Sequence, residues 1–454
     1  MRALEVVTAM NLVETGLGRP LCIDLDRHLL RTELLLECVL VLLKRGPVYW
    51  LLIPVWLLRG RDVLKAQVTQ RVRLDPATLP YDAALLSWLR NERAVGRRIW
   101  LCTRADELWA EGVALHLGLF DRVIVSDSIH NPKWRAGIQH LLELTYLRAA
   151  AGRGERRRHQ WVMARLRNCW RAMRPHQWVK NVLLFVPLIA AHRAGDPSEV
   201  GGLVLSFVAF SLCASSVYVL NDLLDLKADR AHARKCSRPF AAGDLPLGVG
   251  FALIPVLLAA AAAIAATLPP RFAWTLAGYY ALTVAYSFAL KDMIFVDVMA
   301  LAGLYTLRII AGAAAVEVVP SFWLLLFSVF LFLSLAVVKR YAELDALRRR
   351  GNFQAAARDY DLADLPMVES VGISAGYLSV LVLALYVNSP NTLLLYRRPE
   401  VLWVLCALLL YWITRIWMKT HRGKMHDDPV VFAMRDRVSL ATGVAAALVV
   451  AMAI

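Results

Sequence analysis

Asn221-Asp222-Leu-Leu-Asp225-Leu-Lys-Ala-Asp229-Arg230, followed at once by His232, Lys235, Arg238 and Pro239, holds the densest set of residues able to do chemistry. A long apolar run ending in Ser216-Val-Tyr218-Val-Leu220 leads into it. If that run is a helix that continues through the motif, Asp222, Asp225 and Asp229 stand at i, i+3 and i+7 and share one face. Carboxylates packed that closely repel one another and tend to protonate unless a cation compensates them. Mg2+ takes oxygen ligands from one or two carboxylates and completes its shell with substrate phosphates. The neighbouring Arg230, Arg234, Lys235 and Arg238 are placed to hold the remaining phosphate oxygens. The plainer reading is a charged helix end solvated at a membrane surface. It loses ground because the acids begin directly at the end of an apolar span, where ionisable groups are costly unless they face a cavity or a partner.

The elements that must position this motif are membrane helices. Of 454 residues 58% are hydrophobic, and the formal charge is +16. The apolar excess lies after Pro175, in spans of roughly 20 residues, the length that crosses a bilayer as a helix. Nine candidate spans are expected near 178–194, 202–221, 248–267, 273–290, 296–314, 321–339, 368–388, 399–418 and 437–453. Connections near 222–247, 291–295, 340–367 and 419–436 carry most of the charge. The positive-inside rule therefore makes them cytoplasmic and collects the candidate chemical residues on one membrane face. Cys22, Cys38, Cys102, Cys169, Cys213, Cys236 and Cys406 are scattered, without metal-ligand spacing or a disulfide framework. The beginning lacks the pattern of a secretory signal, so the front part is expected in the cytoplasm.

Several further residues invite a role. Asp297 sits just inside the fifth span, where a lone acid is costly, and reads as a ligand or an ion-pair partner. Arg308, about three turns on, faces the same cavity or pairs with an acid on another helix. Lys339-Arg340-Tyr341-Ala-Glu343 follows the sixth span, either as a phosphate-binding cation pair or as ordinary cytoplasmic anchors. His426-Asp427-Asp428 and Arg435-Asp436-Arg437 precede the last span, as further ligands or as a solvated loop. Arg174-Pro-His176-Gln177-Trp178-Val-Lys180-Asn181 opens the first span and mixes an aromatic anchor with candidate phosphate ligands.

The front part alternates differently. Pro20-Leu-Cys-Ile-Asp24-Leu-Asp26 reads as a buried strand ending in two acids, where parallel α/β folds place ligands. Arg98-Ile-Trp-Leu-Cys-Thr103 and Arg122-Val-Ile-Val-Ser126-Asp127 are two more strands, with a helix over 105–117 between them and another opening at Asn131-Pro-Lys133. Leu34 to Leu58 is apolar but broken by Lys44-Arg45-Gly46-Pro47. Each half is too short to span, and the two are read as helices packed on the sheet or as a segment lying on the membrane. Residues 148–174 are rich in Arg and read as a linker and interfacial helix attracted to anionic headgroups. No nucleic-acid module accompanies that charge.

The front order resembles the haloacid-dehalogenase-like (HAD) phosphatases. The resemblance implies a nucleophile at Asp24, an acid/base at Asp26, and the strand-end hydroxyl and lysine at Thr103 and Lys133. Asp26-Arg27-His28 departs from the family's Asp-Gly-Thr, and no final acidic magnesium motif follows Lys133. The expectation is a degenerate α/β domain over 1–147 with a vestigial phosphatase site and a regulatory or assembly role.

Residues 175–454 resemble the UbiA superfamily of intramembrane prenyltransferases through Asn221-Asp222-x-x-Asp225-x-x-x-Asp229-Arg230, the nine-span plan and Tyr286-Ser-x-x-Leu-Lys291. The chain is most similar to the decaprenyl-phosphate phosphoribosyltransferase branch. Arg174-Pro-x-Gln177-Trp178-Val-Lys180-Asn181, Arg230-x-His232-x-x-Lys235-x-x-Arg238-Pro239, Lys339-Arg340-Tyr341-Ala-Glu343-Leu344 and Arg435-Asp436-Arg437-Val438 carry that similarity, with departures at Ala233-Arg234 and Cys236. The resemblance implies an all-α bundle in a bacterial cytoplasmic membrane, working in cell-envelope chemistry. It would transfer 5-phosphoribose from phosphoribosyl pyrophosphate (PRPP) to a polyprenyl phosphate. Mg2+ would sit on Asp222, Asp225 and Asp229, with Asp297 also in the catalytic set. Lys180, Asn221, Arg230, Lys235, Arg238, Tyr286, Lys291, Lys339 and Arg340 would bind substrates. Self-association stays open. The alternatives are an aromatic prenyltransferase, which shares magnesium and pyrophosphate, and a non-catalytic membrane scaffold.

Overall fold

The computed structural model describes residues 21–46, 48–103, 106–125, 156–193, 195–232, 234–349, 359–425 and 428–454. Lys133, the Ser126-Asp127 strand end, the helix opening at Asn131, the lead-in to Pro20 and the His426-Asp427 pair lie outside them. The chain divides into two units. One comprises the residues up to Met173 together with Tyr218–Ile254, the other Arg174–Val217 together with Pro255–Ile454.

The three expected strands form in the first unit. β1 (Leu21–Asp24), β2 (Ile99–Thr103) and β3 (Arg122–Val125) make a parallel sheet in the order β1-β2-β3, with Asp24 opposite Cys102 and Thr103 opposite Val125. Leu21, Ile23, Ile99 and Leu101 share one face of the sheet and are buried, and Cys102 is buried on the other. The apolar stretch breaks where Gly46-Pro47 forbid a continuous helix, giving α1 (Leu34–Arg45) and α2 (Val48–Leu58), followed by α3 (Arg61–Arg71). α1 buries Leu34, Cys38, Leu42 and Leu43, so this half is a packed helix. α2 buries Trp56 alone. α4 (Glu107–Leu117) lies between β2 and β3, capped by Asp106, whose side chain accepts from the Leu108 N–H, and closed by Gly118 in the left-handed region. α5 (Arg156–Met173) carries the described part of the basic linker.

The motif is carried by α6 (Pro197–Leu224), which pauses at Asp225 and resumes as α7 (Leu226–Ala231). The pause is slight, because the Asp225 N–H still donates to Asn221 and the Asp229 N–H to Asp225. The loop beyond is pressed onto the next helix, α8 (Leu247–Ala265): a Cβ on Gly250 would stand 2.9 Å from the Phe240 ring and 3.0 Å from Leu223, so only glycine permits the approach.

In the second unit α9 (Pro270–Phe288), α10 (Val296–Ala315), α11 (Phe322–Arg349), α12 (Leu365–Val387), α13 (Trp403–His421) and α14 (Arg437–Ala453) follow one another. α9 packs on α10, α10 on α11, α11 on α12, α12 on α13 and α13 on α14. Val298, Tyr305, Phe332, Val338, Tyr341, Ile416 and Trp417 belong to one buried cluster.

Among the described residues six helices are long and apolar enough to cross a membrane: Pro197–Leu224, Leu247–Ala265, Val296–Ala315, Phe322–Arg349, Leu362–Val387 and Pro399–His421. Nine spans were expected. α9 and α14 form at two of the other positions, but α9 carries Arg271 and several Tyr and Thr, and α14 has only 17 residues. The stretch expected as the first span is a 3-10 run, Pro175–Phe185, followed by a short helix, Val186–Ala190. It lies tightly on α10: a Cβ on Gly312 would meet the Leu184 carbonyl oxygen at 1.9 Å.

Candidate active site

Asp222 and Asp229 are both 2% exposed, and both point at Arg238. The guanidinium Nη1 donates to Asp222 Oδ1 at 3.2 Å and to Asp229 Oδ2 at 2.6 Å, so two carboxylates seven residues apart converge on one cationic position. Asp225, expected on the same face, turns elsewhere. The Lys44 ammonium of α1 donates to its Oδ1 at 2.8 Å, and both side chains are partly exposed. The pause in the helix at Asp225 accompanies this divergence. The three acids are therefore divided into a pair plus one.

Arg230 follows the motif but is fully engaged. Its Nη1 and Nη2 donate to the two oxygens of Glu37 at 3.1 and 2.6 Å, its Nε to the Ala241 carbonyl and its Nη1 also to the Thr78 carbonyl. It staples α7 to α1. Lys235 is exposed on the loop and Asn221 half-buried at the helix end. α5 reaches the same loop, with Asn168 donating to the Asp244 carbonyl and Arg171 to that of Ser237. Glu37 and Lys44 were missed in the sequence as partners of the motif. The available signal was Glu37 itself, an acid inside the apolar run of Leu34 to Leu43.

The second unit gathers other predicted residues. Asp297 is fully buried, pairs with Arg340, accepts from the Tyr360 hydroxyl at 2.8 Å and from the Val298 N–H at 2.8 Å. The ion-pair branch of the Asp297 expectation is the one this geometry supports. Arg340 also pairs with Glu343. Lys180 donates to Asp428 at 2.7 Å and lies 5.7 Å from the centre of the Tyr305 ring. Burial pushes the Asp428 carboxyl up, but Lys180 and Lys339 outweigh it and leave it below the usual range. Arg308 donates to Asn181 Oδ1, to the Tyr279 hydroxyl and to its own helix, between aromatic rings. No carboxylate lies within salt-bridge distance of it among the described residues, so its charge is spread over neutral acceptors and ring faces. Asp436 caps α14 and pairs with Arg415 and Lys419, whose hydrogen bonds hold its carboxyl far below the ordinary value. Tyr286 and Lys291 are half-buried at the end of α9 and just beyond it.

The front acids also assemble. The Asp26 N–H donates to Asp24 Oδ1 at 3.0 Å, and the Thr103 hydroxyl donates to Asp26 Oδ2 at 3.4 Å. Burial, then the neighbouring Asp24 charge, pushes the Asp26 carboxyl up to about 6.

Residues 182–449 match the UbiA prenyltransferase family. The chain belongs to that family and is an enzyme of its transferase class. It is 35% identical to the protein y4nM of Sinorhizobium fredii over 95% of this chain and 91% of that one. It is 38% identical to the nodulation protein NoeC of Azorhizobium caulinodans over 59% of this chain and 87% of that one. It is 32% identical to the decaprenyl-phosphate phosphoribosyltransferase of Mycolicibacterium smegmatis over 59% of this chain and 86% of that enzyme. Among solved structures, a UbiA homolog from Archaeoglobus fulgidus bound to DMAPP and Mg2+ aligns at 17% identity and a TM-score of 0.48, covering 63% of this chain and 96% of that one.

Mg2+ is the cation the family implies, and the donor set fits it in a restricted sense. No three acidic, imidazole or thiol side chains converge as a ready ligand cluster among the described residues. Asp222 and Asp229 do converge, and two carboxylates completed by substrate phosphates are what Mg2+ uses.

Proposed function

We propose that the chain transfers 5-phosphoribose from PRPP to a polyprenyl phosphate at the cytoplasmic face of a bacterial inner membrane, releasing pyrophosphate. The observation that carries this reading is the convergence of buried Asp222 and Asp229 on one cationic position at the end of a membrane-spanning helix. The similarity to a decaprenyl-phosphate phosphoribosyltransferase supplies the donor and acceptor classes.

When bound, Mg2+ would screen the negative charge that develops on the departing pyrophosphate. Asp222 and Asp229 would hold it, with Asp225 as the third, more exposed ligand. Arg238, already at that position, would turn from the carboxylates to the pyrophosphate oxygens, with Lys235 beside it on the loop. The acceptor phosphate is ionised at neutral pH and needs no strong base, so the remaining task is positioning, with Lys180, Lys291 and Lys339 as the candidate clamps. Arg230 and Arg340 keep structural posts on Glu37 and Asp297.

For the front unit the reading is an altered HAD-like fold with a regulatory or assembly role. The hydrogen bonds that link Asp26 to Asp24 and Thr103 support this reading, and Arg27-His28, where that family has a tight turn, is the alteration. The test of transfer is purified protein with Mg2+, polyprenyl phosphate and either labelled PRPP or a labelled prenyl diphosphate with an aromatic acid. Label should enter lipid phosphate from PRPP. Product formed only from the prenyl diphosphate would replace this reading with aromatic prenylation. For the front unit, Asp24→Asn should leave any phosphate release from the phosphoribosylated lipid unchanged. Loss of release in that variant would make the domain a working phosphatase.

A further inference from the structure

α2 reads Val48-Tyr-Trp-Leu-Leu-Ile-Pro-Val-Trp-Leu-Leu58, without one charged residue. Its contacts within the first unit are few. Trp56 is buried near Tyr49 and under Arg71, and the Trp50 indole N–H donates to the Leu43 carbonyl. One face of the helix is uncovered: Leu51 is 76% exposed, Leu58 89% and Val48 62%, with Val55 and Leu57 also exposed, while Tyr49, Leu52 and Ile53 are half-buried. A contiguous exposed apolar surface of this kind marks an interaction site.

Two observations identify what covers it. First, α2 starts three residues after Lys44-Arg45, and Lys44 is bonded to Asp225, one residue past the end of the membrane-spanning helix Pro197–Leu224. Within this unit the start of α2 is therefore tied to the level at which that span leaves the bilayer. Second, cations bracket the helix, with Lys44 and Arg45 before it and Arg59 and Arg61 after it, while Tyr49 and Trp50 stand at its start. That is the composition that settles at a headgroup boundary, with aromatic rings at the interface and basic side chains toward anionic lipid. Eleven residues extend about 16 Å as a helix, half the hydrocarbon thickness, so α2 enters one leaflet and does not cross.

We propose that α2 is a monotopic membrane anchor, inserted in the cytoplasmic leaflet of the bilayer that holds the transferase helices, with lipid acyl chains as its partner. It would hold the sheet-bearing unit at the membrane surface beside the aspartate motif. The inference does not depend on which group the enzyme transfers.

The test is site-specific photocrosslinking in the full-length protein in nanodiscs of mixed zwitterionic and anionic lipid. p-Benzoylphenylalanine would be placed at Leu51 or Leu58. Leu115, 87% exposed on α4 of the same unit, is the control for an apolar side chain off the anchor, and Leu448, 59% exposed on α14, is the lipid-facing control. Mass spectrometry should find lipid adducts at 51, 58 and 448 and none at 115. Adducts at 448 with none at 51 and 58, or adducts at 51 and 58 to protein alone, would overturn the anchor. Leu51→Glu with Leu58→Glu provides a second readout: the first unit should become cleavable by added protease at least tenfold faster in nanodiscs, and an unchanged rate would also overturn it.

Discussion

Two clusters of aspartate and arginine, one in each unit, use the same side chains to opposite ends. At the motif, Asp222 and Asp229 are buried but their partner Arg238 is 27% exposed, and Asp225 shares its carboxylate with the half-exposed Lys44. At the start of α10, Asp297 and Arg340 are 0% and 3% exposed, and the Tyr360 hydroxyl closes the remaining side. A carboxylate whose cation reaches solvent can exchange that cation for a metal or a substrate. One sealed among helices cannot, since separating a buried pair leaves an uncompensated charge. On the proposed reading, the same pairing serves chemistry at a rim and architecture in a core.

Breaking the sealed pair should cost most. Arg340→Met strands Asp297 and should destabilise the bundle by about 3–5 kcal/mol, read as a lowered unfolding temperature in detergent. Arg340→Met combined with Asp297→Leu should recover part of that loss, and a double variant no better than the single would contradict a structural pair. At the rim the expectation reverses: Asp222→Asn should lower transfer by at least about 100-fold while unfolding stays near wild type. Full activity in that variant would remove the metal role.

Smaller effects sharpen the contrast with the front acids. A carboxyl raised from 3.8 to about 6 is protonated with little cost below about pH 4, and its ionisation costs stability as pH rises through about 6. Asp26→Asn should therefore stabilise the first unit at pH 8 by on the order of 2 kcal/mol, with no gain at pH 4. Chemical unfolding at the two pH values decides it. The least effect belongs to Lys44, half exposed and screened by solvent. Lys44→Met should tighten Mn2+ binding about two- to fivefold, the scale of an exposed ion pair, measured by titration calorimetry with Asp222→Asn as the non-binding control.

Much of this was legible without coordinates. The strands ending at Asp24 and Thr103 were visible as short apolar runs with polar ends, and the break at Gly46-Pro47 as backbone chemistry. The motif at Asn221 announced itself because acids at the end of an apolar span are expensive. Local pattern suffices where the cause is local: periodicity, a helix-breaking residue, the length of a span. It also established the family, since Asp222, Asp225 and Asp229 with their basic followers are close together in sequence.

What only the tertiary structure decided are the pairings across long stretches of chain. Glu37 pairs with Arg230, Lys44 pairs with Asp225 apart from its two neighbours, and Arg340 and Tyr360 both bond the buried Asp297. The stretch expected as the first span is a 3-10 run that lies on α10, an approach that Gly312, more than a hundred residues away, permits. The physical reason is common to the three pairings. A side chain's charge and type are written locally, but whether it is exposed, and which opposite charge neutralises it, depends on surfaces that meet only when the chain has folded.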